Sequence, residues 1–255
     1  MSAERDDFYV GYLPMPPAHR AFLRWVAPAI LWTMVLVCGC TLAFFEPAPP
    51  ARWDTGALTS LQGMVRAVPY PLIEVRDEDG RTSTVLLTGI GKRGAFVAEV
   101  FADSFCTVRG YPLERDGRRV LELMEGHEAM IRLADQSKAW LRPAPLPLGR
   151  GEFAGEILDS KCWHGAMRPG EGRAHKACAT LCVRGGIAPA LIVHAGDRAG
   201  ELILLTGPEG GRATDVVLPY LGEPVHVRGE FFRQAGMLWL RLDPDGVTPV
   251  SGGPR

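Results

Sequence analysis

The sequence predicts a mostly β protein: one N-terminal transmembrane helix, then two small β-barrels in tandem, the second carrying a short cysteine-bearing helix. Three observations point there. A single uncharged apolar stretch lies near the N-terminus. Glycine (30 residues) and proline (21) recur through the rest, as in short strands joined by tight turns. Two parts of that rest also repeat the same short motifs in the same order.

The apolar stretch covers residues 25–45, from Trp25 to Phe45, and reads WVAPAILWTMVLVCGCTLAFF. At about 1.5 Å per residue it spans about 30 Å, the thickness of a bilayer's hydrocarbon core. Pro28 falls in the first turn of this stretch, where a missing N–H costs little. Trp25 at one end and Phe44 and Phe45 at the other suit the two interfaces. Arg20 and Arg24 precede the stretch and Glu46 follows it, so the positive flank predicts a cytoplasmic N-terminal segment, residues 1–24. The expected location is a bacterial inner membrane, crossed once, with the C-terminal domains periplasmic or extracellular. A cleaved signal peptide fits less well, because the stretch is longer than a signal core and no A-x-A site follows. Val37-Cys38-Gly39-Cys40 is near a lipobox, but residues 41–45 would be out of place at a lipidated N-terminus.

Proline-rich stretches divide the remainder into a spacer at 46–57, a first β-domain at 58–141, a linker at 142–151 and a second β-domain at 152–255. The two domains read as a duplication. LLTG ends at Gly89 in one and at Gly207 in the other. Arg-Gly follows at Gly110 and Gly229, 21 and 22 residues on, and the next glycine, Gly117 or Gly236, comes 7 residues later in both. Residues 225–228 and 238–242 alternate apolar and polar, as strands with one buried face do. About five short strands per unit suggest a barrel of OB type, which leaves no open sheet edge; a sandwich is the alternative.

The copies differ in one place. Gly63 to Gly89 takes 26 residues, whereas the equivalent Gly155 to Gly207 takes 52. The extra length holds Cys162, His164, His175, Cys178 and Cys182. Residues 174–183 have helix-forming character and stop before Gly185 and Gly186. On such a helix Cys178 and Cys182 stand at i,i+4 and share a face with His175, while Cys162 approaches from the preceding strand. Cys162, His175, Cys178 and Cys182 thus form a candidate Cys3His set for zinc, or a thiolate site for copper(I). In an oxidising compartment the same residues read as a disulfide from Cys162 to Cys178 or Cys182, the odd cysteine pairing with Cys106 or staying free. Reactive thiols are the third reading. All three remain open at the level of sequence.

The segment Gly-x-Ile-x-Asp-Ser-x-Cys (Gly155, Ile157, Asp159, Ser160, Cys162), then His-x-x-Cys-Ala-x-x-Cys (His175, Cys178, Ala179, Cys182) and Gly185-Gly186, resembles small secreted bacterial OB-like β-barrel domains of unassigned function. The resemblance covers the C-terminal half only. It implies the fold and export, and no substrate.

No catalytic residues stand out. Asp159 and Ser160 lack a nucleophile elbow, and Pro69-Tyr70-Pro71 reads as a strand end or a rigid binding lip. The net charge of −1 gives no electrostatic reason to expect nucleic acid, so none is expected as a partner. The expected partners are the membrane and other subunits of a membrane complex. The function expected first is an anchored, extracytoplasmic accessory or binding subunit, in a respiratory or redox assembly. The alternative is a periplasmic metal-binding (copper or zinc) or thiol-redox assembly factor using the Cys/His cluster.

Overall fold

The computed structural model describes residues 14–44, 51–77, 79–133, 140, 142 and 144–250. They fall into two compact units, Met1–Ala48 and Pro49–Arg255.

The first unit contains α1 (Pro17–Phe44), long and apolar enough by length and composition to cross a membrane, with no buried residue. Pro17 opens it at the first helical position, where its fixed φ suits a helix start. The helix therefore begins eight residues before the expected span, and Pro28 lies in its interior rather than its first turn. Thr33 and Thr41 return their hydroxyl protons to the Ala29 and Val37 carbonyls at 2.9 and 2.8 Å, so neither leaves a donor facing an apolar surround. Phe45, the far end of the expected span, lies outside the described residues.

The second unit is two OB-like barrels. The first comprises β2 (Thr59–Arg66), β3 (Leu72–Arg76), β4 (Thr82–Thr88), β5 (Phe105–Arg115) and β6 (Arg118–Leu123), with β1 (Arg52–Trp53) and β7 (Met130–Arg132) added to β5. Its strands close in the order β2-β3-β4-β6-β5, with β4 and β6 parallel and every other neighbour antiparallel. The second comprises β8 (Leu146–Asp159), β9 (Pro189–Val193), β10 (Leu202–Thr206), β11 (Pro224–Gln234) and β12 (Met237–Pro249). It closes in the same order, β8-β9-β10-β12-β11, again with one parallel pair, β10 and β12. β8 already pairs with β11 at Leu146, so strand structure begins inside the proline-rich stretch at 142–151.

The repeated glycines mark the points where strands cross too closely for a side chain. A Cβ on Gly63 or Gly155 would lie 2.1 or 2.0 Å from the carbonyl oxygen of Glu74 or Ile192. One on Gly110 or Gly229 would lie 2.2 or 2.1 Å from that of Glu122 or Arg241. Backbone cannot yield as a flexible side chain can. Gly155→Ala is therefore expected to destabilise the second barrel by about 3 kcal/mol or more, read as a lower urea midpoint. A shift below about 1 kcal/mol would mean that β8 relaxes away from β9.

Each barrel has its own core. Val65, Ile73, Val85, Val108 and Leu121 fill the first; Ile157, Leu191, Ile203, Val227 and Leu240 fill the second. A third apolar layer joins the barrels through Tyr70, Leu72 and Leu113 on one side and Leu158, Trp163 and Trp239 on the other. Tyr70 is part of this layer and not an exposed lip. Its hydroxyl accepts the Ala213 N–H at 2.8 Å, and burial pushes its pKa up to about 12. Arg115 donates to the Trp163 carbonyl at 3.1 Å and lies 4.4 Å over that indole ring. Lys161, 2% exposed, pairs with Glu122 and donates to the carbonyls of Gly89 and Gly91 at 2.8 and 2.7 Å. The two barrels thus share both an apolar layer and a buried ionic tie.

Candidate metal centre

The β8–β9 connection, residues 160–188, carries the candidate ligands; the equivalent connection in the first barrel is only residues 67–71. β8 ends at Asp159, whose carboxylate is fully buried. Its Oδ1 accepts the Cys162 N–H at 2.8 Å and so closes the first helical turn, as a capping carboxylate does. Further on, a tight turn over Arg173–His175 leads into α2 (Lys176–Arg184). Gly185 and Gly186 end this helix, and Gly186 takes the left-handed conformation (φ +93°) that glycine adopts at low cost.

α2 brings Cys178 and Cys182, one turn apart, to Cys162. Cys162 Sγ lies 3.8 Å from Cys178 Sγ and 4.0 Å from Cys182 Sγ, and the three sulfurs are all within 4.8 Å of one another. A disulfide needs about 2.05 Å, so all three are thiols here, as is Cys106 in the core of the first barrel. Cys162 and Cys182 are buried, and Cys178 is half-buried, so the cluster meets the surface at Cys178.

His175 takes a separate place. Its Nε2–H donates to Asp159 Oδ2 at 2.8 Å, with both groups buried. It forms a second group with Asp159 and Cys162, so the expected four ligands do not close into one cluster. Its Nδ1 is buried and has no hydrogen-bond partner among the described residues.

The first barrel supplies a charge that the ligand motif did not contain. Lys92 Nζ donates to Cys178 Sγ at 2.6 Å. That bond to sulfur holds the Lys92 ammonium pKa above its usual value. The sulfur–sulfur hydrogen bond between Cys162 and Cys182, with burial, pushes the Cys162 thiol far up. The same bond lowers the pKa of Cys182, helped by the charge of Lys92 and opposed by burial. Of the pair, Cys182 thus gives up its proton more readily and Cys162 holds its own more firmly.

His164 lies outside the cluster. Burial lowers its pKa from 6.5 to about 4, and its Nδ1–H donates to the Ser160 carbonyl at 2.5 Å. A folded-state value below the unfolded one means that the unfolded chain takes up the proton first as pH falls. The contribution of neutral His164 is therefore full above about pH 6.5 and is lost progressively toward pH 4, by about 3 kcal/mol. Urea midpoints of the metal-free protein from pH 7 to 4 should show this slope, and His164→Gln should flatten it.

Lys92 carries no local sequence signal, and Asp159 and His175, though both in the quoted motifs, carry none that pairs them. Lys92 stands 86 residues from Cys178, in the connection between β4 and β5 of the other barrel.

No family model and no curated protein matches the chain. Among solved structures, it is similar to a deletion mutant of the single-stranded DNA binding protein from Thermus aquaticus. That match has 13% identity and a TM-score of 0.22, over 81% of this chain and 90% of the other. It corrects the exclusion of nucleic acid, since a protein matched here binds single-stranded DNA. Net charge summed over a chain does not see local groups such as Arg118, Arg119 and Arg233, which line one cavity. The likeness is too low to carry a binding role to this chain. The expectation of membrane-complex subunits as partners gains no support from these comparisons and is withdrawn.

Proposed function

We propose that the protein is a membrane-anchored, extracytoplasmic metal-binding protein that holds a soft ion between Cys162, Cys178 and Cys182. Of the two functions that the sequence leaves open, the sulfur geometry favours this one. Three sulfurs at about 2.3 Å from one ion stand about 3.8 Å apart in a tetrahedral set and about 4.0 Å apart in a trigonal plane. The distances from Cys162, 3.8 and 4.0 Å, lie in that range, and the third pair is within 4.8 Å. Bound metal would also protect the thiols from oxidation outside the cytoplasm. α1 would act as the anchor, with Arg20 and Arg24 on the cytoplasmic side.

The test is the full-length protein in detergent, assayed for metal by elemental analysis and for free thiols after denaturation. One equivalent of zinc or copper is expected. No metal, together with two or fewer free thiols among Cys106, Cys162, Cys178 and Cys182, would replace the metal site by a structural disulfide. A C-terminal alkaline phosphatase fusion should be active in cells; an inactive fusion would reverse the orientation.

A further inference from the structure

We propose that the three-sulfur cluster selects a monovalent soft cation, copper(I), in a trigonal plane of thiolates, with the Lys92 ammonium as its built-in counter-charge. This rests on the metal-site reading above and narrows it to one ion.

Coordination number is the first argument. Copper(I) is satisfied by three thiolates, whereas a structural zinc site calls for a fourth donor. The described residues offer no fourth donor close to all three sulfurs. His175 is held toward Asp159 by the 2.8 Å bond and stands near Cys162 alone of the three cysteines. At the surface side, where Cys178 opens outward, the group in place is the Lys92 ammonium. An ammonium has three donors and no lone pair, so it covers that side without being a ligand.

Charge is the second argument. Binding displaces the thiol protons, so three thiolates with copper(I) carry −2 and with zinc(II) −1. Buried Asp159, whose Oδ1 accepts the Cys162 N–H at 2.8 Å, adds a further negative charge beside the cluster, which makes a counter-charge more valuable. The Lys92 ammonium stands 2.6 Å from Cys178 Sγ, and the more negative copper(I) cluster gains more from that positive charge.

Lys92 is also held in place, unlike a chance surface lysine. Gly94 N–H donates to the Gly185 carbonyl at 2.8 Å, and a Cβ on Gly185 would lie 1.8 Å from the Lys92 carbonyl oxygen. Lys161 fixes Gly89 and Gly91 of the same loop. The first barrel therefore delivers this charge across the interface to the second barrel's sulfurs.

The experiment is an anaerobic titration of the reduced full-length protein in detergent. Copper(I) is competed against a chromogenic copper(I) chelator, and zinc(II) against a zinc chelator. Wild type should bind one copper(I), with near-ultraviolet thiolate-to-copper absorption. Lys92→Met should weaken copper(I) binding roughly 3- to 10-fold, the range of a solvent-exposed charge-assisted contact, and zinc binding less. Lys92→Arg should restore copper(I) affinity, and His175→Gln, which keeps a donor for Asp159, should change it less than about 3-fold. Unchanged copper(I) affinity in Lys92→Met would overturn the proposal. So would zinc bound more tightly than copper(I), or a nitrogen ligand from His175 in the X-ray absorption of the loaded protein; the metal site itself would then still stand. Failure of both ions to bind would overturn the metal reading as well.

Discussion

Cys182→Ser is expected to lower metal affinity by more than about 100-fold, beyond the 10- to 100-fold typical of groups that only orient a ligand. Cys182 is buried and shares a proton with Cys162, so no other donor can move into its place without reshaping α2. Cys178→Ser should cost as much affinity and less stability, because Cys178 is only half-buried. The contrast is His175→Gln, whose side chain stands in the Asp159 group. Competition titration ranks the three. Equal losses in all three would mean that the ligands rearrange into a Cys3His set on loading. No loss in Cys182→Ser would leave α2 a structural element only.

The largest expected effect on stability away from the metal comes from Lys161→Met, about 3 to 5 kcal/mol, the cost of breaking a buried ion pair from one side. Lys161 and Glu122 are 2% and 6% exposed, and the lysine also holds two carbonyls of the Lys92 loop. Removing it leaves a buried carboxylate and two carbonyls without their donor. The double variant Lys161→Met/Glu122→Leu should recover a large part of the loss, since two apolar groups of similar volume leave no orphaned charge. Urea denaturation of the set tests this. A double variant as unstable as the single one would locate the cost in the Gly89 and Gly91 carbonyls.

Much of the fold was legible in the chain because its signals are local. The uncharged run that makes up most of α1 needs no partner to be read. The glycines at 63, 110, 155 and 229 repeat because two barrels of one topology impose the same close crossings, so spacing carried the duplication. Helix periodicity put Cys178 and Cys182 on one face, and the glycine pair after them marked the end of α2. A contact with a partner distant in sequence leaves no such local signal. Pro69-Tyr70-Pro71 read as a lip or strand end, yet Tyr70 is a buried contact whose hydroxyl meets Ala213 from the other barrel. Absence of charge marks the run from Trp25, whereas the helix itself starts at Pro17, which leaves Pro28 in its interior.

The sequence by itself determined the apolar helix, the doubled β architecture and the presence of three cysteines in one insertion. Periodicity, turn residues and spacing act over a few residues, and they survive without knowledge of the fold. Tertiary structure alone decided which donors meet. It set His175 against Asp159 instead of among the sulfurs, and it carried Lys92 from the first barrel to Cys178 of the second. Those pairings depend on how two barrels pack and on where a buried carboxylate must find its proton donor, and no local pattern encodes either.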